Sequence, residues 1–172
     1  MNIFILDHDI QLSAQYHCDK HVVKMVLESA QLMCSAHIAH GKPASYKMSP
    51  GHMKHPCAIW ARETQDNYFY LWELAKELCY EYYYRYNKIH ASQAIIDNLP
   101  WPDFLPVGKQ TPFARAFRRD MPAENLQRIL SCKDAVEAYR LYYILDKAHF
   151  CKWTGRSVPL WFEFPDLIHS LD

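Results

Sequence analysis

A chain of 172 residues, half of them hydrophobic, fits one domain with a core of ordinary size. Nineteen Lys plus Arg balance nineteen Asp plus Glu, so no global attraction to nucleic acid or to an anionic membrane is implied and any anion site has to be local. Four glycines, at 41, 51, 108 and 155, exclude a Gly-rich phosphate loop of the Walker or Rossmann kind.

The elements follow in chain order. Asn2 to Leu6 is a short β-prone run, a strand or an extended segment buried in a helical body, and it is too short for a signal peptide. A first helix is predicted from Ser13 to His40, ended by Gly41 and Pro43. Residues 42 to 55 hold three breakers and read as an ordered loop, after which Pro56 suits the first turn of a long helix to about Lys88. Ser92 to Asn98 adds a turn or two. Leu99 to Pro112 reads as a loop anchored by Trp101 and Phe104, and Pro122 opens a short helix to Ser131. Asp134 to Glu137 has capping-box spacing ahead of a helix to Lys152, with Gly155 beyond, and the aromatic tail of Trp153, Trp161, Phe162 and Phe164 should dock. The expected fold is mainly α, a single compact helical domain over residues 1–172 with a short β-prone N-terminal segment.

The most informative pattern lies in the first helix. His17, His21, Lys24, Glu28, Gln31 and Ser35 recur at steps of four and three, which follow one helical face. Apolar residues flank this stripe, Cys18, Val22 and Met25 on one edge and Val23, Val26, Leu27, Ala30 and Met33 on the other, so the stripe is expected to face a cavity. An unpaired buried polar group costs roughly 2–7 kcal/mol, and such a row therefore points to a ligand, a metal or a dense internal network.

Seven of the ten histidines (His8, His17, His21, His37, His40, His52 and His55) fall in the first third of the chain, concentrating polar chemistry there. His17 and His21 have the i, i+4 spacing of a metal-binding pair, with Asp7 as a further ligand, although Asp19 does not reproduce a His-Glu-x-x-His helix. The other reading is an anion pocket in which Lys20, Lys24, Arg62, Arg85, Lys88, Arg140 and Lys147 converge with His17, His21 and His55. Five tyrosines between Tyr80 and Tyr86 read as core or dimer contacts more than as a base-stacking surface. Arg85 and His90 match an Arg-x4-His spacing found in a class of helical ribonucleases. Arg115, Arg118 and Arg119 form a compact basic patch. The six scattered cysteines read as reduced core thiols of a cytosolic protein, and no run is long enough to span a membrane.

The run Tyr16-His-Cys-Asp-Lys-His-Val-Val-Lys-Met25, with His55-Pro-Cys-Ala-Ile-Trp60, Thr111-Pro-Phe-Ala114, Asp146-Lys-Ala-His-Phe150 and Trp153, resembles a family of short proteins encoded by tailed bacteriophages and some large viruses. The resemblance implies a setting, infection of a cell, and no mechanism.

The leading expectation is a cytosolic viral protein with a pocket lined by His17, His21, Lys24 and Glu28 and closed by His55, Arg62 and the later cations. That pocket would bind a phosphorylated nucleotide or nucleotide-derived small molecule, probed as capture by a homo-oligomer. The competing expectation is an enzyme, a metal-assisted phosphoesterase or a DNA-base-processing protein, in which His17 and His21 act as metal ligands or as an acid and base oriented by Asp19, Glu28 or Asp7. A third is DNA binding through the arginine patch. No resident cofactor is expected, a divalent metal being the alternative.

Overall fold

In the computed structural model, which describes residues 1–166, the chain enters as an extended segment from Asn2 to Leu6 with Ile3, Phe4, Ile5 and Leu6 all buried. Of the two expected forms the buried extended segment is the one adopted, and no strand occurs among the described residues. Side chains take the place of a neighbouring strand in satisfying its backbone. The Asn2 amide donates to Glu28 at 2.8 Å, the Leu6 amide to the Ser13 hydroxyl at 3.0 Å, and the Leu6 carbonyl accepts from Arg140 at 2.8 Å.

The predicted helix from Ser13 to His40 is two helices. α1 (Ile10–Tyr16) is capped by Asp9 and stops at His17, where ψ is 132°; Cys18, with ψ of 162°, then starts α2 (Asp19–Ala39). The reason lies far away in sequence. The Asp19 amide donates to the Lys152 carbonyl at 2.8 Å, and the Asp19 carboxylate accepts from the Thr154 amide, the Thr154 hydroxyl and Arg85. Groups that a continuous helix would bond internally are taken by the later segment instead. α2 closes as expected, with Gly41 at φ +69°.

The predicted loop 42–55 contains one short helical turn, α3 (Pro50–Met53). The predicted helix from Pro56 to Lys88 is likewise divided into α4 (Pro56–Trp60) and α5 (Gln65–Tyr86). Thr64 caps α5 by accepting from the Asn67 amide at 3.1 Å, while Asn67 bonds the Trp60 carbonyl and Thr111, which fixes the turn between them. Leu71, Leu74 and Leu78 of α5 are buried against α2, each contributing about 2 kcal/mol by area.

α6 (Gln93–Asn98) buries Ile96 against both long helices, and the following loop is held by Leu105, Pro106 and Thr111. Trp101, expected as an anchor, is half exposed, whereas Phe104 packs against His37. α7 (Ala123–Leu130) leads to α8 (Ala135–Tyr142), where Asp134 accepts from the Glu137 amide as the capping spacing predicts. The helix expected to reach Lys152 changes character after Tyr142. A π-turn (Tyr143–Lys147) and a 3₁₀ turn (Ala148–Phe150) precede α9 (Leu160–Glu163), which docks through Trp161. Tyr80, Tyr83 and Tyr84 are exposed and do not belong to the core.

Arg85 ties the long helices to the break. Its guanidinium, with no exposed side-chain surface, bonds Glu81 at 2.7 Å, Asp19 at 2.9 Å and the Gln15 carbonyl at 2.9 Å, and Arg156 shares Glu81. Removing one member of a buried ion network leaves its partners desolvated, so Arg85→Ala is expected to lower unfolding stability by about 3 kcal/mol in a urea titration.

Candidate functional site

A cleft of about 340 Å³ opens beside the N-terminal half of α2. His21, Lys24 and Glu28 reach it from the predicted stripe, Phe4 from the N-terminal segment, His55 from the start of α4, Phe117 and Arg118 from the segment before α7, and Tyr142 and Lys147 from the π-turn region.

The aromatic side is layered. The Phe4 ring stacks on His21 with centroids 4.4 Å apart, and the imidazole Nδ1 bonds the buried Tyr143 hydroxyl. Lys147 Nζ lies 4.8 Å from the Tyr142 ring centroid. On an α-helix, residues five apart point roughly 140° away from one another, but an i→i+5 turn brings them to nearly one side. The π-turn therefore brings Lys147 to the same cleft as Tyr142, the last residue of α8.

The charged side alternates in sign. Glu28, buried, accepts from the Asn2 amide and lies 3.3 Å from Lys24 and 3.7 Å from the Met1 amino group. Burial pulls Lys147 downward, but hydrogen bonds to Asp146 and Tyr142 outweigh it and hold the ammonium above its ordinary value. Arg118 is gripped by both oxygens of exposed Asp120 at 2.9 Å and reaches Asp146 at 3.5 Å. His55 accepts from the Cys57 amide through Nδ1, which leaves its proton on Nε2 as a donor. Burial, followed by the N-terminal cation, holds His55 below its ordinary range, so the ring is neutral near pH 7.

Of the residues predicted to bind a ligand, five line this cleft: His21, Lys24, Glu28, His55 and Lys147. The other six are placed elsewhere, Lys20 being exposed with its Nζ 4.9 Å from the Phe150 ring centroid. His17 is wholly buried and bonds the Ser13 carbonyl at 2.7 Å, because the helix break turns it away from the stripe. Arg62 folds back onto the Ala58 carbonyl, Arg85 sits in its ion network, and Lys88 lies exposed past the end of α5. Arg140 bonds Leu6 and Asp7 under the Trp161 ring. Gln31 and Ser35 continue the stripe into the protein, with Ser35 bonding the Leu32 carbonyl. Arg118, Phe4, Phe117 and Tyr142 are cleft residues that the helical pattern missed. A short apolar run and a basic patch carried no periodic signal toward this place.

Among the described residues no group of three or more His, Cys, Asp or Glu could hold a metal ion. The three proposed ligands are engaged separately: His17 with Ser13, His21 with Tyr143, and Asp7 with Arg140. Asp19, the other catalytic candidate, is occupied by Arg85 and Thr154. The Arg85 and His90 pair is also divided, since His90 accepts from the Ser92 amide at 3.1 Å. Among the described residues no helix is long and apolar enough to cross a membrane. Comparison with protein-family models, curated proteins and solved structures finds no match.

Burial pulls the His17 imidazole down to about 3, with His21 and Arg85 opposing its charge and the Ser13 carbonyl favouring it. The unfolded chain takes this proton near 6.5 and the folded chain only near 3, so His17 costs stability as pH falls through that window. Between pH 7 and 5 this amounts to about 2 kcal/mol. Urea midpoints of His17→Gln are expected to fall less steeply over that interval than those of the parent protein.

Proposed function

We propose that the cleft binds a phosphorylated nucleotide or nucleotide-derived small molecule of mononucleotide size. The observation that carries this reading is the pairing of three cations, Lys24, Arg118 and Lys147, with the flat rings of Phe4, Phe117 and Tyr142 around one opening. Phosphate engages ammonium and guanidinium groups, and a base engages aromatic faces. The volume lies at the low end of small-molecule pockets, roughly 300–1,000 Å³, which favours one nucleotide over a dinucleotide.

Roles divide by position. Lys24 and Arg118 hold phosphate at the rim, while Arg62, expected to close the pocket, is folded back onto the Ala58 carbonyl. His55 donates through Nε2, and Glu28 accepts from a sugar hydroxyl or an exocyclic amine. Asp120 already occupies Arg118, but both groups are exposed and their attraction is screened by solvent, so a phosphate can displace it. In the infection setting implied by the viral resemblance, a protein that binds without turnover sequesters its ligand, such as a nucleotide signal of host immunity in the cytosol.

Calorimetric titration with nucleoside mono- and diphosphates tests the reading. Binding to the parent protein is expected, and a charge-assisted contact of about 1.5–3 kcal/mol corresponds to a loss of tenfold or more in Lys24→Ala and Lys147→Ala. Unchanged affinity in these variants and in His21→Ala would remove the cleft from consideration.

Turnover in the same cleft is the second reading, favoured by His21 and Glu28 both lining it. Release of inorganic phosphate by the parent protein, lost in Glu28→Gln with binding retained, would replace capture by hydrolysis. Direct DNA binding is less well supported, because Arg115 turns inward to the Cys132 carbonyl and the chain carries no net charge to attract a polyanion.

A further inference from the structure

We propose that Cys18 and Cys151 are a reversible two-electron redox pair, a dithiol that a small hydroperoxide converts to a disulfide tying the start of α2 to the segment after Phe150. The inference stands independently of what the cleft binds.

Three contacts hold the two backbones in register. The Asp19 amide donates to the Lys152 carbonyl at 2.8 Å, Trp153 Nε1 donates to the Tyr16 carbonyl at 2.9 Å, and Thr154 grips the Asp19 carboxylate through both its amide and its hydroxyl. Between these fixed points the Cys18 and Cys151 side chains lie close enough for each to be the main influence on the other's ionisation, and His21, one turn further along α2, acts on Cys18 as well. A cysteine pair brought together by rigid flanking segments is pre-aligned for a bond between its sulfurs, with little chain left to order. Both cysteines are free thiols in this structure.

The surroundings also divide the labour. Hydrogen bonds from Cys151 and then His21 hold the Cys18 thiol well below its ordinary range, while the same hydrogen bond and burial hold Cys151 above it. Cys18 is fully buried, whereas Cys151 is only partly so and is the sulfur a small oxidant meets first. Burial pushes Cys57 and Cys79 up to about 12 and raises Cys34, with no second cysteine acting on any of the three.

The chemistry balances with hydrogen peroxide and one proton from solvent. Cys151 passes its proton to the Cys18 thiolate, and the Cys151 thiolate so formed attacks a peroxide oxygen; the O–O bond breaks, and the departing hydroxide takes a proton from solvent and leaves as water, giving a sulfenic acid on Cys151. Cys18 Sγ then attacks that sulfur and the S–O bond breaks. The second hydroxide takes the Cys18 proton and leaves as water. The thiolate and the thiol lose two electrons in total, and one hydrogen peroxide with one solvent proton becomes two waters.

Peroxide titration of the native protein, followed by alkylation of remaining thiols, proteolysis and mass spectrometry, reads this directly. The expected product has lost two hydrogens, carries a Cys18–Cys151 linked peptide, keeps the other four thiols alkylatable, and reverts with dithiothreitol. Closing so long a loop is expected to raise Tm by about 5–10 °C in the oxidised form. Cys151→Ser, at the more peripheral site, should fold normally and give no link and no Tm rise; Cys18→Ser should give no link either. Recovery of both residues alkylated after peroxide, a link to another cysteine, or oxidation only to sulfinic and sulfonic acids would overturn the proposal. A urea-unfolded sample should show scattered pairings, and the same single link there would remove the folded geometry as its cause.

Discussion

Asp19 is the constraint on which the arrangement depends. A single carboxylate receives Arg85 from α5 and Thr154 from the far end of the chain, while its own amide bonds Lys152. These contacts end α1, start α2 and set the rotation of α2 about its axis. That rotation determines which residues of the polar stripe meet the cleft. A continuous helix through His17 would present His17 and His21 side by side. The break instead buries His17 and leaves His21 between Phe4 and Tyr143.

Much of this was legible in the sequence, and what was not has identifiable causes. The heptad-like recurrence of Leu71, Leu74 and Leu78, the Gly41 stop and the Asp134 cap are local signals, and each is read by forces acting within a few residues. The polar stripe of α2 was legible as well, and His21, Lys24 and Glu28 do reach a cleft. The helix breaks at His17 and at residues 61 to 63 were not legible, because their backbone groups are satisfied by Lys152, Thr154 and Thr111, partners distant in sequence. Spacing arguments have no access to such contacts. The cations fared worst: Arg85 and Arg140 look like free charges in sequence, yet burial makes each one a structural cross-link with carboxylate and carbonyl partners.

The π-turn after α8 shows the same limit on a smaller scale. Tyr142 and Lys147 carry helix-compatible side chains, and nothing in their spacing forecasts a wider turn. Once formed, the turn places an aromatic ring, an ammonium and the Asp146 carboxylate within reach of one another at the cleft wall. Tyr143, the first residue of the same turn, supports His21 from behind, so one irregular turn serves both the lining and the layer beneath it.

Under the proposed nucleotide reading, the balance of charge in the cleft would let a neutral protein hold an anion through short-range contacts. Lys24, Arg118 and Lys147 are each opposed by a carboxylate, Glu28, Asp120 and Asp146 respectively, so the cleft residues project little long-range field. Selectivity must then come from short-range exchange. Asp120 is exposed and releases Arg118 at small cost, whereas Glu28 is buried and already fixed by the Asn2 amide and so stays in place. A ligand that offers phosphate to the rim and a hydrogen-bond donor to Glu28 satisfies both demands. A bare polyanion meets the carboxylate and does not.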